Sequence, residues 1–291
     1  MPVSDGVRAL EEGRAFTHLA GWRTVSAVGA DAVAWLNDLV TNRVDDIGQN
    51  ELRRTLFLDR TGRVRADVHV GVLGDAREPA GFIVHQDDVQ PDPIEGLLSP
   101  YLLSSDVEFR SSELGLAVLH QGDDLVQFMA WPGPADRISH FPVQPGETET
   151  GLAAIRQYDT VAEASPQDAE VFRIRRGVPR FGVDFGTDFL PSEAGFDVFI
   201  DATKGCFLGQ ESVAKVRNLG HPPRLVLSLV ASEPVSPMAA IAVDGEQVGR
   251  ITSVAEGDDG STACIGWVRW DAREADLRAE GGFALTRRPV D

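Results

Sequence analysis

The sequence predicts an α+β protein that closes with a small antiparallel β-barrel. Three observations carry this. Over Arg63 to Leu73 a two-residue period puts Val64, Ala66, Val68, Val70 and Val72 on one face and Arg63, Arg65, Asp67 and His69 on the other. Over Asp31 to Val40 a helical period lines up Val33, Leu36 and Val40, with Trp35 and Leu39 widening the apolar stripe. From Pro223 onward the texture changes to short apolar pieces, Leu225 to Ala231, Ala239 to Val243, Val248 to Val254 and Ala263 to Val268, divided by acidic or glycine-rich turns. The 291 residues, 43% of them hydrophobic, suffice for about two domains, divided here into 1–220 and 221–291.

The elements follow in order. Leu19 to Ser26 reads as a short strand, and Asp31 is placed to cap the helix after it. Thr55 to Leu58 enters a hairpin whose turn is Asp59-Arg60-Thr61-Gly62, and Arg63 to Leu73 leaves it. Gly81 to His85 is a strand, Pro93 to Leu103 a helix, and Leu116 to His120 and Leu125 to Ala130 are strands split by Gly122-Asp123-Asp124. Pro132 to Gly151 is rich in proline, glycine and acid, the composition of a loop. Ser165-Pro166-Gln167-Asp168 fits a capped helix start, and Gly177 fits its end.

Charge and cysteine usage exclude several classes. A net charge of -18 opposes nonspecific nucleic-acid binding, which needs cations against phosphate. Arg173, Arg175, Arg176 and Arg180 still permit one local anion-binding surface. No stretch approaches the ~18 apolar residues of a membrane span and no secretory signal is legible, so the expected location is the cytoplasm, away from a membrane. With Cys206 and Cys264 as its two cysteines, the chain offers no disulfide framework, no short-spacing metal box and no ligand set for an iron-sulfur cluster of its own. His18, His85, His120 and His140 lack ligand spacing.

The run Lys204-Gly205-Cys206-Phe207-Leu208-Gly209-Gln210-Glu211 concentrates a cation, a thiol, two glycines and a carboxylate. Val213 and Val216 share one side of a helix starting at Gln210, so Cys206 falls just before a helix N-terminus with Lys204 nearby; both settings favour thiolate. Burial of Cys206 as a small hydrophobe beside Phe207 and Leu208 is the competing reading. Lys204-Gly205 and Gly209 do not complete a phosphate loop. Glu211 either manages a proton or pairs with Lys215. Asp67 either lines a cleft, tuned by neighbouring arginines and His69, or lies on a solvated strand face.

The octapeptide and its continuation through Ser212-Val213-Ala214-Lys215-Val216-Arg217-Asn218-Leu219-Gly220-His221 resemble the signature of the YgfZ family of folate-binding proteins, relatives of the glycine-cleavage aminomethyltransferases. The resemblance extends to Asp31 to Asn42, Phe57 to Val72, Arg173 to Gly195, and Arg224 to Val268 with Val248-Gly249-Arg250-Ile251-Thr252-Ser253 and Ile265-Gly266-Trp267-Val268. It implies a GcvT/YgfZ-like folate-binding fold, intertwined α+β subdomains followed by a β-barrel, with tetrahydrofolate or a related reduced folate as cofactor and client iron-sulfur proteins as partners. Asp67 is similar to one of the paired aspartates that assist one-carbon transfer, although Ala66 precedes it here. Arg175 stands where the aminomethyltransferases carry a pterin-recognising glutamate, and a cation cannot accept pterin N–H donors. Glu193 matches a retained Pro-x-Glu element.

The resulting candidates are Cys206, Lys204, Glu211 and Asp67 for chemistry, and Asp67, Arg175, Glu193, Lys204 and Gln210 for the cofactor. An ionised Cys206 would attack an electrophilic one-carbon or sulfur-bearing partner. Three functions compete: an accessory protein for iron-sulfur enzymes, a folate-dependent aminomethyl- or methyltransferase, and a client-binding scaffold without turnover.

Overall fold

The computed structural model describes residues 3–19, 21–48, 51–103, 105–112, 115–121, 137–143, 153, 162–257 and 260–288. Three sheets organise them. The central sheet has the order β3-β4-β5-β2-β6, from β2 (Arg23–Val28), β3 (Leu52–Leu58), β4 (Val64–Asp75), β5 (Glu78–Gln86) and β6 (Glu108–Ser112). A second joins β1 (Arg14–His18), β7 (Gly115–Gln121), β8 (Arg137–Val143) and β9 (Ala162–Glu163) in the order β8-β7-β1-β9. The third, β14-β11-β12-β13-β10-β15, comprises β10 (Arg224–Ala231), β11 (Ala240–Val243), β12 (Glu246–Glu256), β13 (Thr262–Arg269), β14 (Arg278–Ala279) and β15 (Leu285–Arg287). Its edges approach each other through the bridge Arg278↔Ala284 and the bond from Leu285 N–H to Leu277 O, giving the expected barrel-like antiparallel unit. The expected strand Leu125 to Ala130 and most of the loop Pro132 to Gly151 lie outside the described residues.

The amphipathic helix is α2 (Ala32–Leu39), and it buries Trp35, Leu36 and Leu39 against Ala66, Val68, Val70, Phe82 and Val84. Asp31 does not cap it; its Oδ2 accepts from Asp106 N at 2.7 Å, which ties the helix entry to β6 instead. The first expected strand starts later, at Arg23, because Leu19 to Trp22 closes a turn. The helix expected over Pro93 to Leu103 splits into α3 (Ile94–Leu98) and a 3-10 turn at Ser99–Tyr101, where Pro100 has no N–H to extend the helical ladder. The last helices are α4 (Pro166–Arg175), which carries the anticipated Ser165–Asp168 capping box, and α5 (Gln210–Leu219); α1 (Asp5–Glu11) opens the chain.

The decisive feature is that both faces of the β3–β4 ribbon are covered. One faces α2. Against the other, Leu56, Leu58 and Val64 meet Phe181, Phe185, Phe189, Phe196, Phe199 and Phe207. Asp67 and His69 are therefore buried, not on a solvated strand face.

Candidate functional site

The polar side of β4 is built around an ion pair. Arg54 Nε and Nη2 donate to Asp67 Oδ1 and Oδ2 at 2.8 and 2.6 Å, a two-pronged geometry that only a planar guanidinium offers. The guanidinium carbon lies 4.6 and 4.4 Å from the ring centroids of Phe196 and Phe199. Gln90 brackets the Asp67 backbone, accepting from its N–H at 3.0 Å and donating to its carbonyl at 2.6 Å. Next along the strand, His69 sits 5.4 Å from Trp22 and is the cross-strand neighbour of His85. Thr24 Oγ1 meets His85 Nδ1 at 2.9 Å, and burial pushes the His85 imidazole down to about 4.

The signature segment forms the second half of the site. Asp201 N–H donates to Thr41 O at 3.1 Å, and the Asp201 carboxylate takes the Thr203 hydroxyl, the Thr203 amide and Arg43 Nε, with its pKa held to about 2. Lys204 Nζ donates to Val40 O at 2.6 Å, to Asn42 O at 3.0 Å and to Asn37 O, all at or just beyond the C-terminal end of α2. Burial lowers the ammonium to about 8 against the pull of Asp38, Asp45 and Asp201. Two residues on, Cys206 is exposed.

Gly209 begins α5 at φ 83°, and a Cβ there would come within 2.5 Å of Asp59 O in the β3–β4 turn. A Cβ on Gly62 would reach Ser212 Cβ at 2.9 Å. Hairpin and helix start thus pack backbone to backbone, joining the thiol loop to the ribbon that carries Asp67.

The other expected site residues make contacts within the protein. Lys204 spends its donors on the end of α2 rather than on the thiol. Glu211 forms a 2.7 Å ion pair with Lys215 on the open face of α5, which lowers its pKa; of its two expected roles the structure supplies the pairing. Arg175 binds Glu11 at 2.7 Å and Glu256 O at 3.3 Å, so its cation ties α4 to α1 and β12. Glu193 is sealed, accepting Leu190 N–H at 2.6 Å and Arg224 Nε at 2.7 Å; burial raises its pKa and those two donors partly offset the rise. Gln210 opens α5 with its N–H on Phe207 O. His221 stacks on Trp270 at 4.6 Å, 3° from parallel, in the turn before β10.

Local reading missed Arg54, Gln90 and the Phe196–Phe199 floor. The available signal was the pair Arg53-Arg54 inside an otherwise strand-like run, which placed one arginine on the inner face. Arg173 of the basic group is likewise buried, bound to Asp184 at 2.7 Å and to Ser253 at 3.0 Å.

The residues fit a reduced folate at one place. Glu193, Lys204 and Arg175 have their polar groups engaged within the protein. Asp67, 7% exposed, carries one Arg54 donor on each oxygen, whereas a carboxylate accommodates about four. Its remaining acceptor capacity suits the N–H edge of a pterin.

No protein-family model matches the chain. It is 28% identical over 228 residues to "Iron-sulfur cluster assembly factor IBA57 homolog, mitochondrial" of Pyricularia oryzae, covering 74% of this chain and 57% of that protein. It is 22% identical over 284 residues to an aminomethyltransferase of Desulfitobacterium hafniense, covering 84% and 77%. The crystal structure of glycine cleavage system aminomethyltransferase T from Bartonella henselae superposes with a TM-score of 0.80 at 14% identity, over 98% of this chain and 88% of that one. The chain spans little more than half the length of the IBA57 homologues it matches. The chain is thus similar in sequence to IBA57 homologues and to aminomethyltransferases, and it shares the fold of glycine cleavage system aminomethyltransferase T.

Proposed function

We propose that the chain is an accessory protein in the assembly, repair or maintenance of iron-sulfur proteins, that it takes a reduced folate at the Asp67 face, and that Cys206 is its working thiol. One observation carries this: an exposed cysteine on a braced loop, in a chain whose likeness to an iron-sulfur assembly factor spans 74% of its length. The units 1–220 and 221–291 serve as the folate-binding region and its barrel-like closure.

Bound folate would supply a one-carbon carrier or a reducing heterocycle. Arg54 holds the Asp67 carboxylate in one orientation through its two bonds, so that it receives N–H donors without reorganising. Phe196 and Phe199 fix the guanidinium and exclude water from its underside. Cys206, facing solvent, is within reach of a client protein and, once ionised, is the chain's nucleophile toward an electrophilic partner. The acidic surface argues against nucleic acid as that client.

The test is replacement of Cys206 by alanine in cells lacking the native protein. Loss of iron-sulfur enzyme activity at normal protein abundance is expected, and full rescue would remove the thiol from the function. Titration with tetrahydrofolate should show binding that Asp67→Asn weakens. Turnover of a lipoyl-linked aminomethyl substrate would instead favour the transferase.

A further inference from the structure

Of the chain's 27 basic residues other than histidine, 25 are arginine; the two lysines are Lys204 and Lys215, both in the signature region. Lys215 is an exposed partner of Glu211. Lys204 is 5% exposed, and its three acceptors are backbone carbonyls that converge on a single point. A compact ammonium can aim three N–H bonds at one such point, whereas a guanidinium spreads its donors over a planar fork. Those carbonyls belong to the end of α2, where the last C=O groups of a helix lack partners within it and a cation is favoured by the helix dipole.

We propose that Lys204 is a positioning residue: it plugs the C-terminal end of α2 and thereby holds the following Gly205-Cys206 step in place, setting where the thiol is presented. Asp201 works beside it, anchoring the same loop to Thr41 and Arg43. The cation therefore acts through geometry rather than through the electrostatics of the thiolate. This rests on Cys206 being the working thiol, yet it has a separate readout.

The test uses the full chain with Lys204→Met, which keeps length without donors, and Lys204→Arg, which keeps charge without the convergent geometry. Both should raise amide hydrogen exchange over residues 201–207 by about tenfold or more, leave exchange in β4 unchanged, and reduce complementation, while the alkylation pH profile of Cys206 moves by less than about half a unit. Full complementation and native exchange in Lys204→Arg would overturn the proposal, as would a shift of about one unit in the thiol's titration with exchange unchanged. Should both variants fail to fold, amine acylation of the unmodified protein decides: Lys215 should react about a hundredfold faster than Lys204, and equal rates would show the plug to be empty. If Cys206→Ala complements fully, the thiol's function falls while the exchange and acylation results still judge the plug.

Discussion

Two thiols share this chain in opposite physical settings. Cys264 lies in β13 between Leu229 and Val254 of the flanking strands, 0% exposed, and burial pushes its thiol up to about 11. Cys206 stands exposed on a loop whose backbone is braced at both ends, by Lys204 before it and by Gly209 after it. The same contrast separates two carboxylates: Asp67 is enclosed with Arg54, while Glu211 meets Lys215 in water. Position in the fold, not residue type, thus divides groups enclosed against partners of their own chain from groups open to solvent.

Breaking the enclosed side should cost most. Asp67→Ala strips a buried guanidinium of its two-pronged carboxylate and is expected to cost about 3–5 kcal/mol in urea unfolding. A loss below about 1 kcal/mol would place the pair in a wet, surface-like setting.

Acid probes the same interior. His85 is neutral in the fold with its pKa at about 4, against an ordinary value of 6.5. Between these values the unfolded chain binds the proton that the folded chain refuses, so stability falls as pH drops through this window and levels off below it. The loss amounts to about 3 kcal/mol. His85→Gln should flatten that part of the stability-against-pH curve, and an unchanged slope would assign the loss to other groups.

Serine replacements sharpen the thiol comparison. Cys264→Ser puts a hydroxyl into an apolar strand interior and should cost about 1–3 kcal/mol, whereas Cys206→Ser should change stability by less than about 0.5 kcal/mol while abolishing complementation. Equal costs would mean that Cys206 is packed. The smallest effect is expected for Glu211→Gln, which loses only a solvent-exposed helix pair and should leave the urea midpoint nearly unmoved, with complementation retained. A large functional loss there would restore Glu211 as a proton carrier.

The sequence made some of this legible and hid the rest for identifiable reasons. The alternation in β4 announced two faces, but not that the second would be roofed by Phe196 and Phe199 from a segment more than a hundred positions later. Lys204 and Cys206 are near neighbours in sequence, which suggested an electrostatic partnership; the ammonium instead bonds to carbonyls 162 to 167 positions away. Asp31 had the right chemistry for a helix cap, and Asp106 N–H offered a competing donor that no local pattern reveals. Arg175 looked available for a ligand until α1 and β12 closed around it. Ser165 and Asp168 formed their capping box as expected, because both partners lie within one turn.

The amino-acid pattern alone set the amphipathic helix α2, the β3–β4 hairpin and the capped start of α4, the change of texture that becomes the third sheet, and the signature that carries the thiol, but not α1, β1 or the strand β8 within the expected loop. These follow from periods of about 3.6 and 2 residues that the backbone repeats wherever it runs. Only the tertiary structure decided which polar groups are spent inside the protein and which face outward. Hydrogen-bond partners are chosen by loop closure between distant segments, and a buried donor accepts the nearest satisfied geometry, whatever its place along the chain.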